Sequence, residues 1–216
     1  MFGRITAAQA QTKHPNRISI SVDGEYLGSV EDIVWVQSGL KVGSDLTEEA
    51  WQAMQGRQEE QAAMNRALKH LASRARGVQE MRKHLLAKGH EEQTVERVLA
   101  RLCELGYLDD SAYAGMLVRD RVNLKGAGRR VIAQELRRAG IDGETAQQAL
   151  SQYDDQDEKE AARAQAQKAL RSAAREPDER KKRAKVYANL ARRGFSHEII
   201  QGVLNEMLNS EADETE

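Results

Sequence analysis

Three glycines impose a period on the chain. Gly89, Gly140 and Gly194 lie 51 and 54 residues apart, and each is framed by the same apolar positions. Four residues before them stand Leu85, Leu136 and Leu190, and eight before stand Met81, Ile132 and Val186. Six residues after come Val95, Ala146 and Ile200; nine after, Val98, Ala149 and Val203; ten after, Leu99, Leu150 and Leu204; thirteen after, Leu102, Tyr153 and Met207. Steps of three and four mark one face of a helix. Each glycine therefore reads as the left-handed C′ residue between two amphipathic helices. A further helix precedes each pair, over residues 59–73, 110–124 and 157–175, with Gly77, Gly128 and Pro177-Asp178 marking where the second helices begin. One such unit is small for independent stability, whereas stacked neighbours share apolar faces. The expected architecture is mainly α: three tandem three-helix repeats, helix-turn-helix-like, in an elongated array.

Residues 17–46 follow a different pattern. Arg17-Ile-Ser-Ile-Ser-Val22 alternates as a half-buried strand does, and Asp23-Gly24 is a hairpin turn signal. Tyr26-Leu27 and Ile33-Val-Trp-Val36 read as further strands, and Asp45 or Thr47 as the cap of a short helix through Trp51 and Met54. The domain reading is a β-hairpin module over 1–56, repeats over 57–107, 108–156 and 157–209, and a disordered acidic tail over 210–216. Isolated hairpins are marginally stable, so this module must pack on the helix beginning near Glu59 or on a partner.

Composition narrows the function classes. With 31% charged and 4% aromatic residues, the chain suits thin helical layers better than one deep core. Cys103 is the lone cysteine, which excludes an internal disulfide and suggests a reducing compartment; its place beside Leu102 and Leu105 predicts a packing role. No apolar run reaches the length of a membrane span and no signal peptide opens the chain, so a cytoplasmic protein is expected. The five histidines have no metal-cage spacing, and no Walker-type loop or complete dinucleotide loop is present. The expectation is a non-enzyme that holds no metal and no cofactor.

Charge is distributed unevenly. The net charge is −1, yet residues 159–193 carry twelve Lys/Arg against four Asp/Glu. On the helix predicted from Arg129 to Ala139, Ile132 and Leu136 define the buried side, while Arg130, Gln134 and Arg137 project away with Arg138 near them. Lys125 precedes that helix, and Arg192-Arg193 occupy the matching end in the third repeat. Helix-turn-helix-like units can lay such side chains along phosphates. Arginine is also a good helix former, so the same residues fit a solvated face. Nothing picks out side chains that would read base edges.

The centre of the chain adds a specific string. Gly106-Tyr107-Leu108-Asp109-Asp110, then Tyr113, Arg119, Arg121, Lys125-Gly126 and Glu135-Leu-Arg-Arg-Ala-Gly140-Ile141, closely resembles the RecX family of regulators of the bacterial RecA recombinase. The likeness is densest over residues 67–150, and Tyr113 stands where many members carry another aromatic residue. Capping chemistry alone explains part of the string. Gly106 suits a C′ position, Asp109 or Asp110 an N-cap, and Tyr107-Leu108 an apolar corner pinning the turn. The resemblance implies a protein that binds RecA–single-stranded DNA filaments and inhibits their ATPase, strand-exchange and co-protease activities in recombination and repair; a monomer is expected. On that reading Lys125, Arg130, Arg137, Arg138, Arg192 and Arg193 are the candidate filament or nucleic-acid contacts. A non-sequence-specific DNA-binding repeat protein is the alternative.

Overall fold

The computed structural model describes residues 3–213, with side chains to residue 207. The order is β1 (Gly3–Ala10), β2 (Arg17–Val22), β3 (Glu25–Glu31), α1 (Asp32–Ser38), β4 (Asp45–Leu46), α2 (Glu48–Leu71), α3 (Val78–Ala87), α4 (Glu92–Glu104), α5 (Asp110–Asp120), a π-helical turn (Arg121–Lys125), α6 (Arg129–Ala139), α7 (Gly143–Ser151), α8 (Asp155–Ser172), α9 (Glu179–Arg192) and α10 (His197–Asp213). The chain divides into two compact units, one of Met1–Arg74 with Met81–Tyr107, the other of Ala75–Glu80 with Leu108–Glu216.

The first unit carries a four-stranded antiparallel sheet in the order β3-β2-β1-β4. Asp23 and Gly24 both take positive φ, the geometry of a two-residue hairpin turn, so Val22 pairs with Glu25. The sheet holds one strand that the sequence analysis did not name, and one sequence expectation is corrected. Residues 3–10 form β1, a strand the alanine-rich GRITAAQA pattern concealed. Residues 33–36 are helical rather than extended: α1 buries Val34, half-buries Trp35 and Ser38, and closes on the left-handed Gly39. The face repeats at helical spacing despite the β-branched side chains.

A second correction concerns the short helix expected through Trp51 and Met54. Thr47 caps α2 by accepting a hydrogen bond from the Ala50 amide at 3.1 Å, and the helix then runs through Gly56 to Leu71. An interior glycine costs a helix about 1 kcal/mol relative to alanine. Here both flanks are anchored. Trp51 and Met54 complete the sheet's core with Ile5, Ile20, Val22, Val30, Val34 and Leu46, the Trp51 ring lying against Gly28. Ala63 and Ala67 are fully buried in the helical part, as are Met81 and Leu85 of α3 and Val95 and Leu102 of α4. The module and the first repeat therefore share one helix. Cys103, expected to pack, is exposed on α4.

The repeat glycines do what their spacing predicted. After α4, Gly106 donates to the Cys103 carbonyl and Tyr107 to that of Leu102, each at 2.9 Å, with Gly106 at φ +72°. The same paired closure occurs at Gly89, Gly140 and Gly194, where an L side chain would be strained. In the second unit, α5–α7 bury Ala114, Val118, Ile132, Leu136, Ile141, Ala149 and Tyr153. Helices α8–α10 bury Ala162, Ala166, Val186, Leu190, Phe195, Ile200, Val203 and Leu204. The fold is mainly α, with three three-helix repeats and an N-terminal antiparallel sheet. Of the acidic tail expected over 210–216, α10 continues to Asp213, and residues 214–216 lie outside the described residues.

Candidate functional site

The basic surface is built on α6. Ile132 and Leu136 are fully buried, which turns Arg130, Gln134, Arg137 and Arg138 outward, all exposed. Arg137 and Arg138 occupy the last turn, where cations favour the negative end of the helix dipole. Lys125 is exposed at the end of the π-helical turn, just before the left-handed Gly126. Arg121 is not part of this surface: it pairs with Glu135 across the α5–α6 corner.

Arg192 and Arg193 separate. Arg192 is exposed and faces a cleft of about 330 Å³ between α8 and α9, together with Lys168 and Lys185. Arg193 is half-buried and occupied. Its Nη1 donates to the Lys125 carbonyl at 2.7 Å, its Nε to Asn189 Oδ1 at 3.2 Å, and its own carbonyl accepts the Gly128 amide at 2.9 Å. Arg193 therefore stitches the third repeat to the second. The sequence analysis did not single out Lys168 or Lys185. The seven-residue spacing from Lys185 to Arg192, two turns of one helix face, was the signal that could have found the second of them.

Around Arg193 the joint between these repeats is dense. The first amide of α6, on Arg129, donates to Glu158 Oε1 at 2.9 Å, a carboxylate reaching over from α8. The Arg129 side chain donates from Nε to the Tyr153 carbonyl at 3.0 Å, pairs with Asp155 at 2.8 Å, and sits over the Tyr153 ring at 5.8 Å. Glu158 is only 3% exposed. Burial pushes its carboxyl above the ordinary range, and the Arg129 amide and guanidinium pull it part of the way back. The buried Tyr153 phenol is raised too, by burial first and then by the Glu158 charge.

In the central string the two adjacent acids each accept a helix amide. Asp109 is the N-cap of α5, its Oδ1 accepting from the Ala112 amide at 2.9 Å. Asp110 instead accepts the first amide of α3, on Val78, at 2.8 Å, and burial raises its carboxyl. Leu108 is buried, but Tyr107 is 56% exposed, so the expected apolar corner rests on Leu108 alone. Gly126 lies against Gln165 and Gly140 against Gln79.

Comparison with known proteins decides the family. Models of the first, second and third three-helix domains of RecX match residues 63–102, 109–150 and 156–204. The regulatory protein RecX of Bacillus licheniformis is 32% identical over 202 residues, covering 94% of this chain and 76% of that protein. The chain belongs to the RecX family. The regulatory protein RecX of Geobacillus sp. is 33% identical across all of this chain and 79% of its own. A crystal structure of a regulatory protein RecX superposes with a TM-score of 0.78 at 29% identity, over 94% of this chain and 98% of that one. RecX from Lactobacillus salivarius gives a TM-score of 0.64 at 28% identity, over 68% and 96%. In this RecX-family chain, no helix among the described residues is long and apolar enough to cross a membrane.

Proposed function

We propose that this chain is a RecX-type regulator that binds RecA–single-stranded DNA filaments and chiefly inhibits them, slowing ATP turnover, strand exchange and co-protease activity. Family membership supports the regulatory role. The observation that carries the nucleic-acid part is the outward row of Arg130, Arg137 and Arg138 beside exposed Lys125, on a helix whose opposite face is fully buried. Phosphates would meet this row, while the mixed charge of the remaining surface suits protein subunits. Affinity then accumulates over several modest contacts. The protein acts in the cytoplasm as a monomer and has no catalytic step of its own; the nucleotide chemistry belongs to the recombinase.

The test is cosedimentation with RecA filaments, bare single-stranded DNA and free RecA in parallel, with ATP turnover measured alongside. The filament should bind tightest and its turnover should fall. Reversing charge at Arg130 and Arg137 should weaken binding without loss of helix content. It should also flatten the dependence of log affinity on log salt by roughly 1.4, two phosphate contacts at about 0.7 each on a single strand. Wild-type protein that binds bare DNA as tightly as the filament and never alters turnover would replace this reading with general DNA binding.

A further inference from the structure

Three differences set the first two helices of the third repeat apart from those of the second. Three residues beyond the buried Val118 and Ala166 stand Arg121 and Ala169, and five before the repeat glycines stand Glu135 and Asn189. In the second repeat Arg121 and Glu135 pair across the corner. Alanine and asparagine cannot form that pair, and both line the open cleft of about 330 Å³ between α8 and α9. The third difference lies one residue before Ala166. There the second repeat buries Leu117, whereas the third places Gln165, which is 8% exposed and lines the same cleft.

Gln165 thus has the place of an apolar residue and the needs of a polar one. Its side chain lies against Gly126 and makes no hydrogen bond among the described residues. Buried amides are ordinarily paired, so an unpaired one lining a cleft points to a ligand. Most other polar groups there are donors. Lys168 and Arg192 are exposed and have no ion pair among the described residues, while Lys185 pairs with Glu176 in the connection between the two helices. Asn189 gives its Oδ1 to Arg193, which leaves its amino group to donate. The Ser172 hydroxyl is committed to the Lys168 carbonyl at 3.0 Å. No carboxylate is among the described residues that line the cleft.

We propose that the α8–α9 cleft binds a small, multiply charged phosphate, a diphosphate or a phosphate monoester, with Gln165 donating from its buried side and Lys168, Lys185 and Arg192 supplying the charge. Attraction scales with the product of the charges, so three cations about one cleft favour such an anion over a singly charged phosphodiester. Ammonium and guanidinium donors to phosphate belong to the strong, charge-assisted class. The volume lies at the low end of small-molecule sites, about 300–1,000 Å³, which suits a compact anion. The inference does not rest on the filament reading, which is carried by the row on α6.

Isothermal titration of inorganic pyrophosphate into the full chain tests the site. Neither recombinase nor DNA is present, so this proposal and the filament reading fail separately. The wild type should show saturable binding. Ala169→Arg with Asn189→Glu rebuilds the second repeat's ion pair at unchanged net charge and should weaken binding at least about tenfold, the loss of one charge-assisted contact. Gln165→Leu places the second repeat's residue and should weaken binding at least about threefold, yet melt no lower than the wild type, because a buried unpaired amide is removed. Circular dichroism checks each fold. If the double variant loses helix content, Lys168→Gln with Arg192→Gln, both at exposed positions, should give the same tenfold loss in folded protein. An oligothymidylate with hydroxyl ends carries only phosphodiesters and should fail to displace pyrophosphate. Displacement by that oligonucleotide, absence of saturable pyrophosphate binding, or equal affinity in wild type and folded variants overturns the proposal.

Discussion

Replacing Gly128 by alanine isolates what the joint between the second and third repeats contributes. Gly128 lies at φ −79°, ψ 160°, where alanine is comfortable, so any cost is steric. An added Cβ would sit 2.4 Å from Gly194 C and Phe195 N and 2.5 Å from Gly194 O. These are backbone atoms and cannot turn aside. Restoring ordinary contact at 3.4 Å requires the joint to open by about 1 Å. That stretches the Gly128 amide from the Arg193 carbonyl, now at 2.9 Å, and the Arg130 amide from the Gly194 carbonyl, at 3.2 Å, beyond hydrogen-bond range. Two backbone groups left unsatisfied cost about 1–3 kcal/mol each. A gap of that width also forfeits up to half the dispersion of the atoms facing it. The unsatisfied groups alone come to about 2–6 kcal/mol, and the dispersion loss adds to that. Gly77→Ala is the control, since Gly77 holds the same place one repeat earlier. The three atoms nearest its Cβ would be side-chain atoms, Asp110 Oδ1 at 3.0 Å, Tyr113 Cδ1 at 3.4 Å and Ile141 Cδ1 at 3.5 Å, which can give. That change should cost under about 1 kcal/mol, offset in part by the stiffer unfolded chain. Urea melts followed by circular dichroism, with hydrogen exchange at the Gly128 and Arg130 amides, measure both. Equal costs for the two variants, or a Gly128→Ala melt indistinguishable from wild type, would refute the joint as described.

Glu158→Gln keeps an oxygen for the Arg129 amide but removes the ionisation that burial disfavours. The folded-state carboxyl is raised above its unfolded value, so the wild type loses stability as pH rises from the ordinary carboxylate range through the raised folded-state value, and the glutamine variant should gain on it over that rise in paired melts. A variant that falls behind as pH rises would mean the Arg129 pairing outweighs burial. Asp109→Ala removes the α5 cap and should cost about 0.5–2 kcal/mol in the same melts. Gly106→Val, at φ +72°, should cost more than Asp109→Ala because a β-branched residue is strained there.

What the sequence made legible is what local chemistry controls. The buried faces of the second and third helices follow from helical spacing about Gly89, Gly140 and Gly194, because a left-handed closure and an apolar stripe are both written within one turn or two. The exposed row on α6 was legible for the same reason: two buried residues determine where the others point. Elements that depend on distant partners were not. β1 is a strand because it pairs with β2 and β4, which outweighs its alanines. α2 crosses Gly56 because the sheet grips Trp51 while the repeat buries Ala63. Arg193 looked interchangeable with Arg192, and only an acceptor 68 residues away, the Lys125 carbonyl, commits it to structure. The adjacent acids Asp109 and Asp110 looked like alternatives for one cap, yet each serves a different helix.

That division between neighbouring acids follows from a conflict at the second helices. The first amides of a helix need an acceptor, which a capping side chain usually supplies from the preceding residue. Gly77 and Gly128 cannot supply one, and at Gly128 the approach of Gly194 leaves no room for any side chain. The acceptor therefore comes from the first helix of the next three-helix unit: Asp110 for Val78, Glu158 for Arg129. The borrowed cap is used twice in the second unit, and the close backbone approach accompanies it at Gly128. Serine, a strong N-cap, would ordinarily stabilise a helix over glycine by a few tenths of a kcal/mol. At Gly128 it should instead destabilise by at least as much as alanine, because its Cβ meets the same backbone atoms. At Gly77 it should be close to neutral, since Asp110 already satisfies the Val78 amide. A serine that stabilises at position 128 would show that the amides of α6 are short of an acceptor and that Glu158 does not cap them.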